Sequence, residues 1–250
     1  MAETTELGTV EVLETEALFA RLATLIEALG SSEGERAVGL PGGSTPQAWY
    51  RWVTDRRTAG ERVFSQACLE SVVWTTGDER FVPLADAASN FGNAERGLLN
   101  PLGVDPRMRF PWPVHLPPRV AAQQFERDWT ARFGAGHGFD LCVLGMGDDA
   151  HTASLFPGSE LLNARTDRLF SAVDVPDKGS RMTVTPRGLE LSGRIVVAVT
   201  GEGKAEALKS VFREPRDPAA RPVQALGEVA EPDRVTWLVD PAAAGDTFAG

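Results

Sequence analysis

Five apolar runs of strand length set the strongest constraint on the fold: RAVGL at 36–40, SVVWT at 71–75, FDLCVLG at 139–145, RIVVAV at 194–199 and VTWLV at 235–239. None alternates apolar with polar. A strand with one wet face alternates because its side chains point to opposite sides in turn, so a continuous run implies burial on both faces. Helical spacing fills the gaps between the runs. Leu18, Leu22, Leu25, Ile26 and Leu29 predict a helix over 16–29, with Gly30 placed where a helix end takes left-handed backbone. Further helices are predicted over 45–55, with Pro46 near the start, over 117–133 on Val120, Phe125, Trp129 and Phe133, and over 203–213 on Ala207, Leu208, Val211 and Phe212. Ser89 reads as the N-cap of one more, running into GNAERGLL. Strands and helices in alternation predict an α/β fold with a mostly parallel sheet.

The 250 residues carry no internal repeat and no linker, so a single domain over 1–250 is expected. Segments 157–180 and 214–222 read as surface loops, punctuated by Gly, Pro and Arg. With 25 Lys and Arg against 35 Asp and Glu, the net charge is −10, which disfavours nucleic acid and anionic membrane as partners. A phosphorylated small molecule would need a few basic residues to make a pocket positive against that field. Cys68 and Cys142 lie inside apolar stretches, as buried free thiols do. No apolar stretch is long enough to span a membrane, and MAETTELGTVEV lacks the pattern of a leader, so a cytoplasmic location is expected.

Four polar clusters each follow a predicted strand: Gly42-Gly43-Ser44-Thr45, Gly77-Asp78-Glu79-Arg80, Asp148-Asp149-Ala150-His151 and Gly201-Glu202-Gly203-Lys204. Strand C-termini of an open parallel sheet share one edge, where ligands bind. The first cluster opens a helix, whose free N–H groups suit an anion; a plain turn is the alternative. Lys204 and Arg181 are candidate cations for the same anion, against a reading as solvated surface charges. His151 follows a buried strand and has Asp148 and Asp149 nearby to support an imidazole acting as general base, whereas a capping histidine would need neither. Asp78 and Arg80, two apart, would share a face if the strand continued through them, either as catalytic groups or as a surface ion pair.

Other motif matches fail on context. Gly145-x-Gly147-x-x-Ala150 is followed too soon by Pro157-Gly158 for a dinucleotide-binding helix, and GEGKAEA lacks the first Gly and the hydroxyl of a P-loop. Gly30-x-Ser32-x-Gly34 lies after a helix and before a strand, the reverse of a nucleophile elbow. Three scattered histidines offer no metal site.

Together LPGGSTP at 40–46, TTGDERFVP at 75–83, SNFGNAERGLL at 89–99, LGMGDDAHTASLFPGS at 144–159, RMTVTP at 181–186 and GEGKAEAL at 201–208 resemble the 6-phosphogluconolactonase family, in its order and over most of the chain. GGSTP is shared with glucosamine-6-phosphate deaminases. The resemblance implies a Rossmann-like three-layer α/β/α fold, a monomer, no cofactor, no metal, and hydrolysis of a phosphorylated sugar lactone. It implies His151 as general base, Asp149 as its orienting partner, Asp78 and Arg80 at the lactone end, and Gly42, Gly43, Ser44, Thr45, Arg181 and Lys204 around the phosphate. The family usually has Gly where this chain has Ala150, and ordinary dihedrals are expected there. Pro41 replaces a small polar residue and stiffens the loop entry. A deaminase of the same fold uses an acid soon after the histidine, and HTASLFPGS has none until Glu160. A noncatalytic sugar-phosphate sensor would have no use for His151 and its carboxylates.

Overall fold

A computed structural model describes residues 2–163 and 166–248. Seven strands form the central sheet: β1 Ala2–Thr5, β2 Gly8–Val12, β3 Arg36–Leu40, β4 Val72–Thr76, β6 Leu141–Leu144, β9 Arg194–Val199 and β10 Val235–Val239. Their spatial order is β1-β2-β10-β9-β6-β3-β4, parallel throughout except for β1. A smaller antiparallel sheet joins β5 Asp78–Arg80, β8 Gly179–Val184 and β7 Phe170–Val175 in the order β5-β8-β7.

The continuous apolarity of the central strands has its cause in two separate cores. In β6, Leu141 and Val143 enter one hydrophobic cluster while Cys142 and Leu144 enter the other. In β9, Val196 faces the first cluster, and Ile195 and Val197 face the second. One core is closed by helices α1 (Thr15–Glu27), α2 (Ser44–Thr58) and α3 (Gln66–Ser71), through Leu18, Ile26, Trp49, Val53 and Cys68. Helix Pro118–Phe133 closes the other with Phe125 and Trp129, which pack with Trp112, Phe139 and Phe170 in an aromatic cluster. Each such buried side chain contributes roughly 1.5–3 kcal/mol.

Local departures from the expected pattern each have a reason. The predicted Val120 contact is absent, since that residue is 43% exposed on the outer face of its helix. Gly30 is not left-handed; a Cβ there would run into the Cys68 backbone, so the position needs a small residue for close approach. Segment 157–180 is not loop throughout, because 170–175 and 179–184 pair as a hairpin turning through Asp177 and Gly179, both at positive φ. Ser89 does cap a helix, accepting from the Gly92 N–H at 2.9 Å; this helix, α4 (Asn90–Ala94), continues as a π turn over Glu95–Leu99.

Ala150 departs from the expected ordinary dihedrals, with φ at +58°. Left-handed backbone costs a residue bearing a Cβ about 1–2 kcal/mol. Its methyl, on a residue only 2% exposed, recovers about 0.8 kcal/mol by burial. Glycine would relieve the strain, lose the methyl and add unfolded-state entropy worth roughly 0.5–1 kcal/mol. Ala150→Gly is therefore expected to melt within about 4 °C of the unmodified protein, and Ala150→Val, with a branched Cβ, at least about 4 °C lower. A rise well above that range in the glycine variant would show that strain outweighs burial.

Glu79 is fully buried and anchors α4 to β5. Its Oε1 accepts from the N–H groups of Arg80 and Asn90, and its Oε2 from Ser89 Oγ and the Phe91 N–H. Burial pushes this carboxyl above its ordinary pKa, and the four donors pull it partly back. Glu79→Gln would turn an NH2 group toward groups that are themselves donors, leaving at least one unsatisfied at a cost of about 1–3 kcal/mol. Thermal unfolding of that variant should show a melting temperature lower by about 4 °C or more.

Candidate active site

After β3 the chain moves outward to β4 at one edge, and after β6 it moves the other way to β9. The crevice beyond the C-terminal ends of β3 and β6 is thus the point where the strand order reverses, the usual ligand position in such sheets. A cleft of about 240 Å³ occupies it. Gly42, Gly43, Ser44, Thr45, Asp78, Arg80, Asn90, His151 and Lys204 border it. Eight of these nine positions come from the four polar clusters of the sequence.

Gly43 precedes α2 with φ +104° and ψ −171°, a conformation open to glycine, and no side chain caps the helix. The first-turn N–H groups of this 15-residue helix therefore have no side-chain acceptor of their own and face an anion-binding position. Thr45 Oγ1 shares a hydrogen bond of 2.8 Å with Thr200 Oγ1, tying the first turn of α2 to the residue that follows β9. Lys204 Nζ lies 2.5 Å from Asp148 Oδ1. Asp148 is therefore the ammonium's partner and does not support the imidazole, contrary to the expectation from sequence.

His151 sits on a loop closed by the Gly147 N–H donating to the His151 carbonyl at 2.9 Å and the Ala150 N–H donating to the Gly147 carbonyl at 3.0 Å. The Val223 N–H donates to the Ala150 carbonyl and buttresses the loop from outside. A Cβ on Gly147 would overlap the His151 ring, so only glycine leaves the imidazole its place. His151 Nδ1 is 2.5 Å from Asp149 Oδ1, which also accepts the His151 backbone N–H at 3.1 Å. Partial burial alone would raise the Asp149 pKa, but the hydrogen bonds from the ring and backbone of His151 outweigh it and hold the carboxyl below its ordinary value. An ionised carboxylate only accepts, so Nδ1 carries a proton, and in the neutral ring the lone pair is on Nε2. The ring stacks on Phe156, with centroids 4.1 Å apart.

Asp78 and Arg80 lie on β5 with one face in common, but they do not form the ion pair weighed from their spacing. Asp78 accepts from Ser154 Oγ at 2.8 Å and from Asn90 Nδ2 at 3.2 Å. Arg80 Nη1 donates to the Ala88 carbonyl at 2.9 Å and to Asn90 Oδ1. Arg181 does not border this cleft. Strand register sets it opposite Arg80, where burial and then the neighbouring guanidinium lower its pKa. Asn90 and Ser154 escaped identification as site residues, since Ser89-Asn90 reads as a helix start and Ser154 is included only as part of the segment 144–159. The available signal was position: both fall inside segments that carry the family resemblance.

A larger cavity of about 770 Å³ adjoins the site, bordered by Ser154, Phe156, Glu160, Asp174 and Ser180 among others. It holds neither the glycine loop nor a histidine, so the chemistry collects in the smaller cleft. Among the described residues no cluster of His, Cys, Asp and Glu could hold a metal, and no helix is long and apolar enough to cross a membrane.

The chain is 32% identical over 251 residues to a 6-phosphogluconolactonase from Nostoc sp., covering 95% of this chain and 98% of that protein. It is 33% identical over 240 residues to one from Rattus norvegicus, covering 91% and 88%. The solved structure of a 6-phosphogluconolactonase from Thermotoga maritima superposes with a TM-score of 0.74 at 25% identity, covering 92% of this chain and 98% of that one. Residues 12–237 match the family described as glucosamine-6-phosphate isomerases/6-phosphogluconolactonase, and the chain belongs to that family.

Proposed function

We propose that the protein hydrolyses 6-phospho-D-glucono-1,5-lactone to 6-phospho-D-gluconate, in the cytoplasm and as a step of the oxidative pentose phosphate pathway. The observation that carries this reading is a single cleft bordered by both an oriented imidazole and an uncapped helix N-terminus behind two glycines. The phosphate is held by the N–H groups and hydroxyls of Gly42 to Thr45, and Lys204 exchanges Asp148 for it. This handle fixes the ring, so its binding energy serves to orient C1. His151 Nε2 takes a proton from the water that attacks C1, and Asp149 stabilises the imidazolium. Arg80, with Arg181 beside it, faces the developing oxyanion. Asp78, held by Ser154 and Asn90, orders the lactone end. The imidazolium then returns its proton to the leaving ring oxygen, and no covalent intermediate forms.

The deaminase alternative needs an acid near the base. The first one after His151 is Glu160, which borders the adjoining cavity and not this cleft. Lactone hydrolysis is favoured on that ground, and parallel assays of lactone hydrolysis and ammonia release on purified protein separate the two.

His151→Ala is expected to lower kcat by about 10²–10⁴-fold, measured above spontaneous hydrolysis. Near-normal turnover would remove the residue from its role. The depressed Asp149 pKa means that its stabilising contribution is full above the ordinary aspartate value of about 3.9 and is lost as pH falls through the lower folded value. Asp149 therefore stays ionised across the range in which an imidazole titrates, and kcat/KM should show an acid limb of one proton. A two-proton limb would place a second titrating group at the base.

Lys204→Ala should raise KM for the phosphorylated lactone at least about tenfold while leaving hydrolysis of unphosphorylated gluconolactone within about twofold, since a charge-assisted contact contributes about 1.5–3 kcal/mol. An equal effect on both substrates would contradict the phosphate handle.

A further inference from the structure

Asn90, 2% exposed and first in α4, touches three parts of the cleft at once. Its amide orientation is dictated by its neighbours. A guanidinium only donates, so Oδ1 faces Arg80; the Asp78 carbonyl, 2.9 Å away, only accepts, so Nδ2 faces Asp78 and reaches its carboxylate at 3.2 Å. Its backbone N–H is fixed on Glu79 Oε1 at 2.7 Å. On the remaining side lies Gly42, where a Cβ would overlap the Asn90 amide, so the anion loop packs directly on this side chain.

Opposite charges two apart on one strand face are free to close on each other, and in a poorly solvated cleft they attract several times more strongly than in water. We infer that Asn90 is a positioning residue acting as a spacer: its amide stands between Asp78 and Arg80, satisfies each with a separate hydrogen bond, and keeps the guanidinium charge available to substrate. This role rests on the lactonase reading for its catalytic consequence. Arg181, opposite Arg80, adds a second cation on the same side, which the Asp78 carboxylate would otherwise be drawn toward as well.

Two variants test the spacer. Asn90→Ala removes it, and the isosteric Asn90→Asp keeps its volume while replacing the donor toward Asp78 by an acceptor. Asn90→Ala is expected to lower kcat about 10²-fold, as loss of one preorganised oxyanion donor does. For Asn90→Asp, which keeps the volume on which Gly42 and the anion loop pack, KM for the phosphorylated lactone should change by less than about threefold. Asn90→Asp should show a similar loss near pH 8, with its rate relative to the unmodified protein recovering several-fold near pH 5.5, where a proton shared between the two carboxyl groups replaces the lost donor. A role in packing alone would give no such recovery. A flat ratio across pH, or kcat of the alanine variant within threefold of normal, overturns the inference.

A crystal structure of Asn90→Ala supplies an arm independent of activity. The Arg80 guanidinium is expected within about 4 Å of the Asp78 carboxylate, the limit of an ion pair. A guanidinium that stays on the Ala88 carbonyl and away from Asp78 overturns the spacer whether or not the protein is a lactonase. Absence of lactone hydrolysis in the unmodified protein overturns the functional reading and leaves the crystallographic arm to decide Asn90. Should the alanine variant fail to fold, the isosteric variant carries the test through its pH ratio.

Discussion

Burial of the central parallel strands on both faces is the constraint from which the site follows. Val38, Leu141, Val143 and Val196 fill one core, and Ala37, Cys142, Ile195 and Val197 the other, so the strands have no wet face on which to carry a polar side chain. Polar groups can collect only where the strands end. The reversal of strand order between β3 and β6 then opens a crevice at that rim, since the connections leaving the two strands diverge. The polar groups that border the cleft therefore lie on the short strand β5, on helix starts and on loops held at the ends of rigid strands, an arrangement that gives precision without placing charge inside the central sheet.

Precision at this rim is bought with residues that lack bulk. Gly42 makes room for the Asn90 amide, and Gly147 for the His151 ring. Ala150 takes a left-handed conformation between Asp149 and His151, and the turn it makes lets one carboxylate oxygen accept from both the ring and the backbone of His151. Strain in such a turn persists where surrounding contacts over-determine it. Here the Ala150 carbonyl is held by Val223 and its N–H by Gly147, while its methyl is buried in the core.

Much of the fold was legible because period and burial agree. The runs at 36–40, 194–199 and 235–239 coincide with β3, β9 and β10 to the residue, since both-sided burial leaves an uninterrupted signal. Strands β5, β7 and β8 were not legible, nor were β1 and β2 at the edge of the central sheet. The first is three residues long and all charged, and the hairpin emerges from the core toward its turn, so Asp174, Ser180 and Arg181 interrupt its apolar pattern. Of the residues that border the cleft, those placed soon after a strand, among them His151, Asp78 and Lys204, are legible by that position. Asn90, Ser154 and Glu79 contribute through contacts between segments distant in sequence, and Arg181 is placed by strand register. Neither kind of information resides in a local motif.

For a chain of net charge −10 to recognise the phosphorylated sugar proposed as its substrate, a few cations must escape neutralisation by its own excess of carboxylates. Two devices serve this end. On β5, Asp78 has both oxygens occupied by Ser154 and Asn90, and the adjacent Arg80 guanidinium, held by the neutral acceptors Ala88 and Asn90, pairs with no carboxylate among the described residues. At the phosphate end, Lys204 does have a partner, but Asp148 has a side chain 81% exposed to solvent. A pair with one partner so exposed is worth only about 0–1 kcal/mol, so a phosphate bound as proposed at the helix N-terminus would displace Asp148 at small cost. The carboxylate that could not be displaced cheaply is the buried one, and it is also the one tied to neutral donors.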